Sequence, residues 1–183
     1  MHYTGTIWRP PYEAYSLLVQ VTAGCTHHSC KFCTLYEDLP FKFKLSPFSE
    51  VKADLAEASK YYRKIPRIFF TGANPFVLST EKLKTLAKMV KEYYPFYKTI
   101  GCFARITDIM PKSLEELKEL RALGYDGITI GVETGDDESL TFMNKGFQSK
   151  DVLEQCRKLD EAGISYNFFY LTGIYGAGRR CGR

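Results

Sequence analysis

The 183 residues are 45% hydrophobic and 15% aromatic, with a formal net charge of +4. That length suits one domain with a proper core but is short for a closed α/β barrel. A charge this mild, spread along presumptive helix faces, argues against a dedicated nucleic-acid stripe, and no run of about 18 apolar residues offers a membrane span.

In chain order, the start (MHYTGTIWRPPYEAY) has no apolar run like a signal peptide, so a cytoplasmic protein is expected. Residues 15–21 (YSLLVQV) read as a short β-strand. A polar loop follows directly, with Cys25, Cys30 and Cys33 in nine residues beside His27 and His28. Ser46-Pro47 reads as a cap and first-turn proline opening a helix that runs to about Arg63. The alternation Phe41-Lys42-Phe43-Lys44-Leu45 reads as an amphipathic connecting strand or a flap over a ligand. Residues 67–71 (RIFFT) form a buried-type strand ended by Gly72-Ala73-Asn74-Pro75. Ser79 or Thr80 caps a second helix that stops before Pro95.

Residues 97–103 (YKTIGCF) give a third strand. Ser113-Leu114-Glu115-Glu116 is a capping box, and its helix ends at Gly124. Residues 127–132 (GITIGV) give a fourth strand, Ser149 starts a helix stopped by Gly163, and residues 166–171 (YNFFYL) give a fifth strand. This alternation with short loops predicts a parallel sheet covered by helices. Ligand sites in such sheets lie at the carboxyl ends of the strands. That rule places the cysteine loop, residues 72–75, Arg105, Glu133 and residues 173–178 on one face. Cys102 and Cys156, in a strand and a helix, read as small core residues.

Clustered cysteines in a reducing compartment point to a metal or to redox chemistry. A closed zinc site needs four ligands. His27 or His28 is nominally available as the fourth, but the usual second ligand pair is missing further along. A redox C-x-x-C made of Cys30 and Cys33 leaves Cys25 unexplained. Three thiolates suit an iron–sulfur cubane with one iron left open for a small molecule.

Cys25-x4-Cys30-Lys31-Phe32-Cys33, at the end of the first strand, resembles the cluster loop of the radical S-adenosylmethionine (radical SAM) superfamily. The similarity extends over nearly the whole chain. It is nearest to the group with oxygen-independent coproporphyrinogen oxidases, methylthiotransferases and many uncharacterised members. The commonest spacing in that family is C-x3-C-x2-C, so this loop carries one extra residue. The resemblance implies a 4Fe–4S cluster on Cys25, Cys30 and Cys33 and bound S-adenosylmethionine, with no catalytic residue assigned beyond these. The expected activity is reductive cleavage to a 5′-deoxyadenosyl radical, served by a reductant such as flavodoxin or ferredoxin, on a substrate that no residue names.

Further roles follow from the resemblance. Phe32 stands where the family's aromatic ring lies near the adenine, or is a core phenylalanine. Gly72, Ala73 and Asn74 stand in the turn whose backbone carbonyls meet the methionine ammonium. Gly131-Val132-Glu133-Thr134-Gly135, followed by Asp136-Asp137-Glu138 and Met143-Asn144-Lys145-Gly146, matches the fourth-strand segment, with Glu133 accepting from the ribose hydroxyls. Arg105 pairs with the methionine carboxylate or is structural. Gly173 and Ile174, in Gly173-Ile174-Tyr175-Gly176, resemble the glycine-bearing adenine contact. The resemblance implies a partial (β/α)6 barrel. Five strands are visible where the family has six, so a single core domain lacking its last β/α unit is expected, residues 179–183 being an atypical tail. An iron–sulfur electron-transfer or sensing protein and a zinc-binding interaction module are the alternatives.

Overall fold

The computed structural model describes residues 1–174. Five parallel strands form the sheet: β1 (Leu17–Gln20), β4 (Arg67–Thr71), β5 (Thr99–Ala104), β6 (Ile128–Glu133) and β7 (Tyr166–Tyr170). They lie side by side in chain order. Each crossover therefore steps the same way, and with a right-handed connection every helix lands on one face. This is the progression of a barrel wall rather than a sheet wound in both directions. Helices α1 (Phe48–Tyr61), α2 (Thr80–Tyr93), α4 (Leu114–Ala122) and α6 (Ser149–Ala162) are the long crossover helices. Among the described residues no helix is long and apolar enough to cross a membrane.

Strand residues alternate between two environments, as the two-residue period requires. Ile68, Phe70, Ile100, Cys102, Ile128 and Ile130 join Leu83, Leu86, Leu117 and Leu159 in the helix–sheet core. The intervening Phe69, Phe103 and Phe169 pack in a row instead, edge-to-face at 5.1 Å between the first two ring centroids and tilted at 6.0 Å between the last two. At the amino ends of the strands, Glu13 is fully buried and takes two hydrogen bonds from the Arg67 Nε, at 3.0 and 2.9 Å. Tyr12 bonds Thr129 beside it at 2.8 Å. Tyr12 and Glu13 thus close the amino-end side of the concave face.

Several local expectations change. The predicted first strand, residues 15–21, narrows to β1, which ends at Gln20, and a further strand follows it: β2 (Thr22–Gly24) turns away to pair antiparallel with β3 (Phe43–Leu45). The cysteine loop is therefore the insert of a small ribbon, and Phe43 to Leu45 form its connecting strand. The helix predicted from Ser46 has Pro47 as its N-cap, without a side-chain cap bond, because proline fixes φ there but offers no acceptor group. Ser79 does cap α2, and Ser113 and Glu116 make the reciprocal capping box on α4. Two short helices, α3 (Ile106–Ile109) and α5 (Asp137–Phe142), follow β5 and β6. They are too short for a periodic apolar pattern to announce them.

Candidate active site

The loop from Cys25 to Cys33 is held at both flanks. The Cys25 N–H donates to the Lys42 carbonyl at 2.7 Å, which continues the β2–β3 ribbon, and the Cys33 N–H turns back to the Cys30 carbonyl at 3.1 Å. Across the gap, the loop docks on the segment after α5. Lys31 N–H donates to the Met143 carbonyl (3.0 Å), the His27 Nε2 meets the Asn144 carbonyl (2.6 Å), and Asn144 donates to the Ser29 carbonyl (2.9 Å). His27 is thus a hydrogen-bonding loop residue, and burial lowers its pKa. Cys25, Cys30 and Cys33 are free thiols of intermediate exposure.

All three thiols line one cavity of about 310 Å³ together with Phe32, Ala73, Arg105 and Glu133. The sequence expectation of one shared face holds for these seven residues. Among the described residues no three His, Cys, Asp or Glu side chains converge where a single metal ion could sit.

Glu133 ends β6 in an unusual way. The pairing with β7 breaks register between Gly131 and Glu133, and Glu133 takes a φ of 70°. A side chain in this left-handed region costs about 1–2 kcal/mol. The strain turns the carboxylate back over Gly131, where a Cβ would lie 2.8 Å from its Oε1. There the carboxylate meets the Lys145 ammonium at 3.2 Å, the two side chains being 10% and 4% exposed. Lys145 also sits over the rings of Phe32 and Phe147, at 5.5 and 5.6 Å. Arg105 donates to the Lys145 carbonyl, which sets its cation beside Lys145 and Glu133 on the cavity wall. Burial raises the Cys30 pKa, and Lys145 and Arg105 pull it back down.

The turn after β4 divides its duties. Gly72 has a φ of 134°, and a Cβ on it would lie 2.6 Å from the Thr22 carbonyl oxygen, so glycine is required where the turn crosses β2. Ala73 faces the cavity, whereas Asn74 is fully buried and bonds away from it. Gly173 is exposed and Ile174 packs on the helix–sheet core, so neither lines the cavity. Tyr175 to Gly178, also assigned to this face, and the tail 179–183 lie outside the described residues.

Sequence reasoning gave no role to Lys145, although its segment was singled out, or to Trp8, Arg9, Phe103 and Phe169, which also line the cavity. Strand alternation was the available signal for Phe103 and Phe169. Nothing in the sequence marks Trp8 and Arg9 as cavity residues. Cys102 is a core residue with a thiol pKa raised by burial, and Cys156 packs partly buried against the same core.

Beneath the turn, burial pushes Asp108 up to about 6 from 3.8, against the pull of the Arg105 N–H and the Asn74 amide. The folded chain therefore holds a proton more tightly than the unfolded one. The associated stability is complete below the unfolded value and is lost as pH rises through about 6. Unfolding free energy is expected to fall by up to about 3 kcal/mol across that window. Denaturant titrations at stepped pH should show this slope, flattened in Asp108→Asn; the same slope in both chains would contradict it.

A family model described as the radical SAM superfamily matches residues 19–179. The heme chaperone HemW of Bacillus subtilis is 30% identical over 97 residues, covering 53% of this chain and 26% of that protein. An uncharacterized methyltransferase of Synechocystis is 26% identical over 174 residues, covering 90% of this chain and 31% of that protein. The cobalamin-dependent S-adenosylmethionine radical enzyme OxsB superposes with a TM-score of 0.65 at 20% identity, over 85% of this chain and 24% of that one. That likeness speaks to the fold alone. The chain spans between a quarter and a third of the curated relatives it matches.

Proposed function

This chain belongs to the radical SAM superfamily, and we propose that its cavity holds a 4Fe–4S cluster and S-adenosylmethionine for radical chemistry. The observation that carries this is the gathering of Cys25, Cys30, Cys33 and Glu133 around one cavity at the carboxyl ends of parallel strands. The donor set fits. A cubane asks for one thiolate per iron, and three thiols lining one cavity leave one iron open. A closed zinc site would need a fourth ligand, but His27 is engaged by the Asn144 carbonyl and His28 does not line the cavity. When bound, the two groups supply a 5′-deoxyadenosyl radical, formed with one electron from a reductant such as flavodoxin or ferredoxin, that abstracts hydrogen from a substrate.

The chain's own residues position and shield. Glu133 accepts hydrogen bonds, which suits a ribose diol, and Gly131 leaves room for its carboxylate. Lys145 and Arg105 give the same wall the positive charge that a methionine carboxylate requires. Phe32, half out in the cavity and capped by Lys145, offers a ring face to adenine. Ala73 presents backbone at the turn. Trp8, Phe103 and Phe169 wall the cavity with apolar surface that keeps water from a reactive species.

The test is anaerobic reconstitution with iron and sulfide, reduction, and addition of S-adenosylmethionine under electron paramagnetic resonance. The expected result is a cluster whose signal changes on addition. A cluster whose signal stays unchanged at saturation supports electron transfer instead, and stoichiometric zinc without iron uptake supports the interaction module.

A further inference from the structure

The residue after the first cysteine is gripped from below. Thr26 is exposed, yet its N–H donates to the Asn74 Oδ1 at 3.3 Å and its hydroxyl accepts from the Asn74 Nδ2 at 2.7 Å. Asn74 itself is 0% exposed and lies behind the cavity wall. Its Nδ2 also faces both carboxylate oxygens of Asp108, at 3.2 and 3.1 Å. Asp108 is 2% exposed, and its Oδ2 accepts from the Arg105 N–H at 2.8 Å. One amide and one carboxylate thus join the cysteine loop, the turn after β4 and the first turn after β5.

An amide is the group this junction needs. It must accept from one N–H while donating to a hydroxyl and to a carboxylate. A carboxylate in its place would face Asp108 with like charge, and an apolar residue would strand the buried Asp108 acceptors at a cost larger than one ordinary hydrogen bond. The same junction sets two things that share the cavity, the start of the Cys25 loop and the backbone of Arg105. Buried networks that are fully satisfied fix one geometry.

We infer that Asn74 and Asp108 are positioning residues that hold the loop carrying Cys25 in register with Arg105, without touching a ligand themselves. The inference deepens the cluster assignment above and rests on it for its consequence, though the grip itself exists in the chain alone. The conservative change Thr26→Ser keeps both bonds, and Thr26→Val keeps the shape but loses the hydroxyl.

Two measurements separate the claims. In the chain without cluster, amide hydrogen exchange across residues 24–33 is expected to speed up roughly fivefold in Thr26→Val, about one net hydrogen bond, and to stay as in the parent in Thr26→Ser. Thr26 is exposed, so the variant folds, and an unchanged thermal transition outside the loop checks it. Equal exchange in Thr26→Val and the parent overturns the grip whatever the loop binds. In reconstituted chains, Asn74→Asp is expected to take up less iron in alkaline buffer than near pH 6, where the paired carboxylates share a proton. Around them stand Arg105, Lys112 and the Cys102 thiol, none of which reverses that sign. Parent-like uptake by Asn74→Asp at both pH values overturns the positioning role. A parent chain that takes up no cluster but shows the Thr26→Val exchange difference overturns the cluster assignment and leaves the grip standing.

Discussion

Alanine at Cys25, Cys30 or Cys33, introduced singly, is expected to abolish the visible absorption of the reconstituted cluster. Alanine at Cys102 or Cys156 is expected to leave it in place. The asymmetry follows from position. The first three thiols are partly exposed on one cavity, whereas Cys102 is 0% exposed in the helix–sheet core and Cys156 packs against that core from α6. A cubane already one protein ligand short cannot lose a second without a further open iron, and the loop offers no replacement. His27 is committed to the Asn144 carbonyl, and His28 does not line the cavity. Cys102→Ala removes only a small buried group and should cost about 1 kcal/mol of stability without touching the site. Iron and sulfide content measured beside the absorption decide the matter. A Cys30→Ala chain that keeps four irons and its colour would remove the three-thiolate assignment, and a Cys102→Ala chain that loses them would move it elsewhere.

The parallel sheet was legible because each strand and long helix announces itself locally. A run such as RIFFT is bounded by Pro66 and Gly72, and the serines at 79 and 113 cap helices that the structure caps in the same way. The rule that ligands sit at the carboxyl ends of parallel strands already puts Cys25, Cys30, Cys33, Ala73, Arg105 and Glu133 together, as they are in the cavity. What stayed hidden depends on register and on long-range contact. The break between β1 and β2 has no composition signal, because Val21 is apolar and buried like its neighbours. Lys145 lies beyond a six-residue helix, and only the fold returns it to Glu133. Asn74 reads as a turn residue in sequence, and its role as a buried bridge needs Thr26 and Asp108, which stand 48 and 34 positions away.

The pairing of Glu133 with Lys145 sets the second large effect, because stability and ligand binding should separate there. Both side chains are almost fully buried and meet at 3.2 Å. Removing one partner leaves the other as an uncompensated buried charge, so Glu133→Ala is expected to cost about 3–5 kcal/mol of stability, and Lys145→Met a similar amount. Glu133→Ala should also weaken S-adenosylmethionine binding by roughly 1.5–3 kcal/mol if the carboxylate bonds the ribose hydroxyls. The combined change Glu133→Gln with Lys145→Met removes both charges at once. Its unfolding free energy should return close to the parent value, since a neutral pair of similar volume carries no stranded charge. Ligand binding should not return, because a neutral amide and a thioether supply neither the two-pronged acceptor nor the cation. Denaturant unfolding of the parent, Glu133→Gln, Lys145→Met and the double variant gives the first cycle, and calorimetric titration of S-adenosylmethionine into the same reconstituted chains gives the second. If the double variant regains binding along with stability, Glu133 and Lys145 are structural partners and the cofactor is held by other residues. If it regains stability alone, the strained carboxylate at the end of β6 is kept for the ligand, which explains why the chain tolerates φ 70° at a glutamate there.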